Sequence, residues 1–413
     1  MLQDIMPGTE EQLNKEVTAG YVGFDPTADS LHIGSLVPIL LLVHLQKAGH
    51  RPIALVGGAT GMVGDPSGKS EERNMLSEET LQKNIAGIRG QLERFLNFDS
   101  GKATGAAMVN NYDWFKEISF LDFIRDVGKH ITVNYMMAKD SVKKRLEGSG
   151  MSFTEFTYQL VQGYDFYWLH KNMNCKLQMG GSDQWGNIVT GTELIRRKDG
   201  GEAFAFTCPL IKKADGGKFG KSEQGNVWLD PMRTSPYQFY QFWLNASDED
   251  AENWIKIFTF LDKDEIDGLI AEHTKDAGKR ILQKKLAEEL TVFVHGKDEL
   301  AKATETTDKL FASQNAAAES LSEDDLNDIE GIVKATVLKA QFDAGVDIVS
   351  LFTDAGIFPS KGEARKMIQV GAVSINRKKT DDPKLIPGNN MLLHGKFLLV
   401  QKGKKNYYLI EII

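Results

Sequence analysis

The sequence predicts an α/β protein: a Rossmann-like, doubly wound parallel sheet, followed by an all-α region and a small basic α+β unit. Three observations carry this prediction. Over the first half of the chain, short β-type runs alternate with helical stretches, the pattern of strand–helix–strand crossovers in a parallel sheet. After about residue 227 the texture changes to helix after helix, rich in Lys, Glu, Ala and Leu, with no strand-like run up to residue 313. From residue 351 to the end, eleven Lys/Arg oppose five Asp/Glu, a balance of +6. The whole chain carries −8, so the remainder is −8 − 6 = −14. An acidic body with a basic end points to a local contact with a polyanion.

At 413 residues, 41% hydrophobic and 26% charged, the composition is that of a globular protein of two or three domains. The longest apolar run, residues 36–45, is broken by Pro38 and His44 and is too short to span a bilayer. No basic-then-apolar secretory pattern opens the chain, and a cytoplasmic location is expected. Cys175 and Cys208 stand alone, fitting neither CxxC nor a zinc pattern, so no metal site is expected and both thiols belong in a core.

The elements follow in order. Residues 21–24 form a short strand, the Pro/Asp/Ser-rich segment after it a turn, and residues 36–42 an apolar helix. His32 and Gly34 fall where that helix begins, where unpaired N–H groups and the dipole welcome an anion such as phosphate. Gly34 has no side chain, so a flat ligand can lie against the backbone there. The plain structural alternative is a strand–turn–helix capped by Ser30, with a half-buried histidine.

Residues 51–56 (RPIALV) form a buried strand running into GGATGMVGDPSGK, residues 57–69. A Walker A loop would need glycine where Val63 stands, and DGGKFGKS at 215–222 misses by the same one residue, so a P-loop is rejected. Glycine turns beside lysines still suit phosphate handling. Residues 77–98 form a helix, 106–109 a short strand and 112–127 mostly helix. On the helix at 153–172, Tyr158, Gln162 and Asp165 share one face at i, i+4 and i+7. Such a stripe is either a solvated face or the wall of a polar pocket, where a buried carboxylate needs a partner. Residues 176–179 form a strand that runs into GGSDQWGNI (180–188) and a helix to about 197. Asp183 there either accepts from ribose hydroxyls or serves the helix dipole.

Beyond the helices of 235–313, residues 314–328 are loop-like. The basic unit then brings a helix with Ala364, Met367 and Ile368 on one face, alternating Val373 and Ile375, and paired strands at 397–400 and 407–410.

DPTADSLHIGS resembles the HIGH signature of class I aminoacyl-tRNA synthetases, and KFGKS (218–222) resembles their KMSKS loop. GFDPTADSLHIG, GGATGxxGDPSGK, YxxxQxxD and GGSDQWGN, in this order, resemble bacterial tyrosyl-tRNA synthetases over nearly the whole chain. The resemblance implies three domains: a catalytic one at 1–228, a helical anticodon-side one at 229–325 and, after a linker at 326–344, an RNA-binding one at 345–413. It implies tyrosine activation by ATP with magnesium, then transfer to the terminal ribose of tRNA(Tyr) by a homodimer, with no membrane or DNA partner.

Residue by residue, it assigns Tyr21 and Asp165 to the substrate phenol, Asp65, Tyr158 and Gln162 to its ammonium group, and Gln184 to its carboxylate. Asp25, Gly34, Gly181 and Asp183 match contacts to the adenosine or α-phosphate of ATP. Ser35 stands at the second histidine of HIGH, where a hydroxyl replaces an imidazole. Thr27, His32, Lys69, Arg73, Lys218, Lys221 and Ser222 match groups holding the pyrophosphate in the transition state. Residues 360–379 resemble a small ribosomal-protein RNA-binding fold, with Arg365, Lys366, Arg377, Lys378 and Lys379 facing phosphates. Phe219 and Gly220 replace the middle of KMSKS, and the chain is expected to lack the leading helix of family members.

Two other readings compete. One is the tryptophan-specific relative, which lacks the C-terminal RNA-binding unit and the Tyr21/Asp165 pair. The other is a non-catalytic RNA-binding protein on a degenerate synthetase, which the presence of His32, Asp65, Lys218 and Lys221 disfavours.

Overall fold

The computed structural model describes residues 2–64, 77–148, 150–217, 219–222, 225–311, 318, 321–323, 326, 332–403 and 406–413. The chain divides into two compact units, Met1–Asp230 with Glu249–Gly268, and Pro231–Asp248 with Leu269–Ile413.

The first unit is built on six strands: β1 (Asp4–Ile5), β2 (Ala19–Phe24), β3 (Arg51–Val56), β4 (Ala107–Asn110), β5 (Cys175–Gly181) and β6 (Phe204–Cys208). Their spatial order is β1-β6-β5-β2-β3-β4. All neighbours are parallel except β1, which pairs antiparallel with β6. The run RPIALV is buried from Pro52 onward, as a parallel strand covered on both faces must be. Chain order reverses at β2, which pairs with β3 on one side and β5 on the other, so a crevice opens at the carboxyl ends of β2 and β5. Tyr21 sits in register with Ile53 and Gln178 there.

The Phe153–Met173 helix starts at a full capping box, Ser152 with Glu155, and stops at Asn174 in the left-handed region (φ 51). It packs on the Trp185–Asp199 helix at two glycines: a Cβ on Gly191 would lie 2.9 Å from Cβ of Phe166, and one on Gly163 would lie 3.4 Å from the Gly191 nitrogen. That close crossing brings the stripe of Tyr158, Gln162 and Asp165 up to the strand ends.

Several elements differ from the sequence-based expectation. A helix, Thr9–Lys15, does precede the first parallel strand, so the expected lack of a leading helix is corrected. Residues 112–127 form two short helices, Tyr112–Phe115 and Phe120–Asp126, because Ser119 accepts from the Asp122 N–H and starts a new one. β1 and β6 carry no periodic signal and went unread. β9 (Val333–Val337) lies within 326–344, the segment expected to be a linker.

A two-stranded hairpin, β7 (Lys221–Ser222) with β8 (Gly225–Asn226), follows the six-stranded sheet in the first unit. The second unit holds the helices Pro236–Leu244, Ile281–His295 and Lys297–Phe311. It also holds a sheet of β9, β10 (Val373–Ile375), β11 (Lys378–Thr380), β12 (Phe397–Lys402) and β13 (Asn406–Ile412), ordered β11-β10-β12-β13-β9. Its core gathers Phe352, Phe358, Ile368, Val373, Leu398 and Ile410. Among the described residues no helix is long and apolar enough to cross a membrane.

Candidate active site

A cavity of about 660 Å³ opens at the carboxyl ends of β2 and β5. Its lining brings together Tyr21, Asp25, Gly34, Tyr158, Gln162, Asp165, Gly181, Asp183 and Gln184, residues spread over more than a third of the chain. Thr27, His32 and Ser35 are not part of that lining. Thr27 is exposed on the turn, and His32 and Ser35 are half-buried beside Gly34. Asp65, Lys69, Arg73 and Lys218 lie outside the described residues, and Lys221 and Ser222 are described by their backbone alone.

One end of the cavity is dry and polar. Asp165 is 1% exposed and Tyr21 2%. Asp165 accepts from Trp114 Nε1 at 2.9 Å on Oδ1 and from Asn111 Nδ2 at 3.0 Å on Oδ2. Burial pushes this carboxyl up to about 8, against the pull of those two donors and with a small push from Asp25. Burial, and then the charge of Asp165, also hold the Tyr21 phenol well above its ordinary value. The Tyr21 hydroxyl and the Oε1 of Gln178 find no hydrogen-bond partner among the described residues. Buried polar atoms left this way are costly unless a ligand meets them.

Asn111 ties this end to the glycine turn: its Oδ1 accepts from the Ala59 N–H at 2.7 Å, and its Nδ2 also donates to Thr60 Oγ1 at 3.1 Å. Farther along the wall, Asn187 donates to Gln162 Oε1 at 3.0 Å, which fixes the amide of Gln162 on the helix face.

The other end centres on the turn at His32. The imidazole Nδ1 accepts the Gly34 N–H at 3.0 Å, leaving the proton of a neutral ring on Nε2. The Ile33 N–H goes to Val227 O at 2.9 Å and the Ser35 N–H to His32 O at 2.7 Å. The helix-start N–H groups expected to meet a phosphate are therefore engaged, and anion binding here falls to side chains and the dipole.

The loop resembling KMSKS is laced onto this turn by its backbone. Val227 N–H donates to Gly220 O at 3.1 Å, Leu229 N–H to Leu31 O at 2.8 Å, and His32 bridges to Trp228. At Gly220, with φ +94, a Cβ would stand 3.7 Å from Gly34 N and from His32 Nδ1, which sets the Lys221 backbone beside the turn.

Sequence reasoning missed Gln178, Thr60, Asn111 and Trp114. Gln178 alone offered a signal, as an amide within the otherwise apolar strand Cys175–Gly181. In the second unit, Arg365, Lys366, Lys378 and Lys379 are exposed. Arg377 is half-buried and donates to the Lys309 carbonyl at 3.0 Å.

Comparison with known proteins gives the family. A family model described as tRNA synthetases class I (W and Y) matches residues 13–312. A second, described as the tyrosine–tRNA ligase SYY-like C-terminal domain, matches residues 328–410. The tyrosine–tRNA ligase of Flavobacterium johnsoniae is 61% identical over 100% of this chain and 97% of its own length. That of Bacteroides thetaiotaomicron is 60% identical over 99% and 97%. The crystal structure of a C-terminally truncated Aspergillus nidulans mitochondrial tyrosyl-tRNA synthetase superposes with a TM-score of 0.67 at 30% identity, covering 75% of this chain and 91% of that one. The chain therefore belongs to the class I tRNA synthetases of the tryptophan and tyrosine group, and within them to the enzymes that ligate tyrosine to tRNA.

Proposed function

We propose that the cavity binds tyrosine with its phenol against Tyr21 and Asp165 and performs the adenylation at the turn of His32. The observation that carries this reading is the buried, unpartnered Tyr21 hydroxyl next to a buried carboxyl, at the closed end of the cavity. Tyr158 and Gln162, with Asp65, hold the ammonium group, and Gln184 lies by the carboxylate. Asp25, Gly34, Gly181 and Asp183 receive the adenosine and α-phosphate.

The tyrosine carboxylate then attacks the α-phosphorus in line, and the bond to the pyrophosphate oxygen breaks. No protein nucleophile is needed; positioning and positive charge on the departing group are. Thr27 and the Nε2–H of His32, with Lys69, Arg73, Lys218, Lys221 and Ser222, meet that charge late, on glycine-flanked loops. Asp25 and Asp183 offer hard oxygen atoms in the cavity wall that suit magnesium carried in on the triphosphate. Bound there, the ion would neutralise charge on the phosphates.

The tyrosyl group passes next to a terminal ribose hydroxyl of tRNA(Tyr). Arg365, Lys366, Lys378 and Lys379, exposed on the basic unit, are suited to its phosphates, and Arg377 to a supporting role from its half-buried place.

Homodimer formation is supported by the apolar residues the catalytic unit leaves exposed, notably Leu121 at 75%, Phe153 at 68% and Phe120 at 65%. Two buried free thiols suit a reducing cytoplasm.

Pyrophosphate exchange into ATP, with each amino acid supplied separately, tests the assignment. Exchange with tyrosine alone, abolished by Asp165→Ala, is expected. Exchange with tryptophan, or an active Asp165→Ala, overturns the pocket reading. No exchange from folded protein with magnesium favours the degenerate RNA-binding alternative.

A further inference from the structure

Phe219, next to Lys218, is the one aromatic residue in the segment running from Ala214 to the β7 hairpin, and its ring does not stand alone. Its ring stacks on Phe258 with centroids 5.3 Å apart and planes at 15°, and Trp254 meets it edge-on at 5.1 Å and 72°. Trp254 and Phe258 are 2% and 1% exposed. Both lie on the Asp248–Phe258 helix, one turn apart on one face. The start of the same segment is held by the same helix, through the Ala214 N–H donating to Asp250 Oδ1 at 2.8 Å. Just past the helix, Phe260 packs on His44 at 5.0 Å and lies under Lys47 Nζ at 3.6 Å, gripping the far end of the helix that begins beside His32.

The held segment is otherwise loose by composition. Gly216 (φ +79) and Gly220 (φ +94) take the left-handed region, and Gly217 stands between them. Two glycine joints and a single aromatic anchor make a loop whose resting place is set by what the anchor touches.

We propose that Trp254 and Phe258 are positioning residues for adenylation: by clasping Phe219 they fix where the lysine-bearing loop stands relative to the His32 turn. Neither touches substrate, and their effect runs through Lys218 and Lys221, so the inference rests on the charge-stabilising role given to those lysines above. The aromatic clasp acts on the leaving-group side only. Its loss slows the chemical step and spares tyrosine binding, which is fixed at the opposite end of the cavity.

The test compares Trp254→Ala, Trp254→Phe, Lys221→Ala and the double variant Trp254→Ala/Lys221→Ala. Tyrosine affinity is read by equilibrium dialysis, and the rate by single-turnover formation of the adenylate. Trp254→Ala is expected to slow adenylate formation by about 10- to 100-fold, the scale of a slight misplacement of catalytic groups. Tyrosine affinity should stay within about twofold, and Trp254→Phe should recover most of the rate.

In the Lys221→Ala background the further loss from Trp254→Ala should shrink to less than about threefold, as coupled positions require. A normal rate in folded Trp254→Ala, or a full multiplicative loss in the double variant, overturns the clasp while leaving the lysine reading intact. A normal rate in Lys221→Ala overturns the lysine reading itself. Should Trp254→Ala fold poorly, Asp250→Ala removes the acceptor of the second tether and carries the same expectation on a smaller scale.

Discussion

Trp114 donates its indole N–H to Asp165 across 2.9 Å, and in doing so spends the one polar group of a buried indole on the one carboxyl at the closed end of the cavity. The indole also stacks on Trp168 at 4.2 Å with planes 14° apart, so the donor is held from two sides. With Asn111 on the other oxygen, the carboxyl keeps its orientation between two neutral donors. A cation would have made it a strong, permanent anion; two neutral donors leave it able to hold a proton.

That choice has a pH signature. The carboxyl of Asp165 titrates near 8 when folded, above the ordinary 3.8, so the folded chain holds a proton that the unfolded chain gives up. Its stabilising contribution is complete below the unfolded value and is lost as pH rises through about 8. Thermal unfolding of the wild type should therefore fall relative to Asp165→Asn between pH of about 5 and 8.5. A difference between the two that does not change with pH would show the carboxyl ionised throughout.

Tyr21→Phe separates stability from recognition. The hydroxyl is buried without a partner among the described residues, so its removal should leave Tm unchanged or slightly higher. The KM for tyrosine should rise about tenfold, the value of one lost buried hydrogen bond, and the preference for tyrosine over phenylalanine should narrow. Equal KM values for variant and wild type would place the phenol elsewhere.

Two glycines on the Glu78–Leu92 helix should respond in opposite ways. A Cβ on Gly87 would fall 2.0 Å from the Asp29 carbonyl oxygen, on the turn that leads to His32, whereas one on Gly90 meets nothing within 4 Å. Gly87→Ala should cost roughly 1–3 kcal/mol in urea unfolding and lower pyrophosphate exchange, because backbone must move. Gly90→Ala should gain about 0.5–1 kcal/mol with activity unchanged. Matching effects at the two sites would contradict the close approach.

For the proposed homodimer, Phe153→Glu places a charge at a position 68% exposed in the single chain. Light scattering at micromolar concentration should shift from dimer to monomer, with secondary structure unchanged. A dimer that persists in this variant would move the contact to another face.

Much of this was legible in the sequence because it is local. RPIALV read as a covered strand and residues 153–172 as one long helix, and both stand in the structure. The glycine turns and the spacing of Tyr158, Gln162 and Asp165 carried the family resemblance. What stayed hidden depends on distant partners. Asp165 meets Trp114 and Asn111 from 51 and 54 residues away, and no pattern around either residue foretells it. FAFTC becomes a strand because β5 stands beside it, and VKATV because β13 does. The helix start by His32 was legible as an anion site, yet Val227 and the imidazole of His32 occupy the N–H groups that made it one.

The strand order has a consequence for a chain still being made on the ribosome. β2 has β3 as an early companion, but its other edge waits for β5, and β1 waits for β6. At roughly 5–20 residues per second, that edge stays open for on the order of ten seconds or longer. Throughout that interval the residues of the proposed tyrosine pocket on β2 lie along a strand with one edge unpaired, the kind of edge that invites a wrong partner. Nascent chains stalled before Cys208 should accordingly show neither adenylation nor protease resistance, and β1, which precedes every other strand of the sheet in the chain, is among the last to be locked in place.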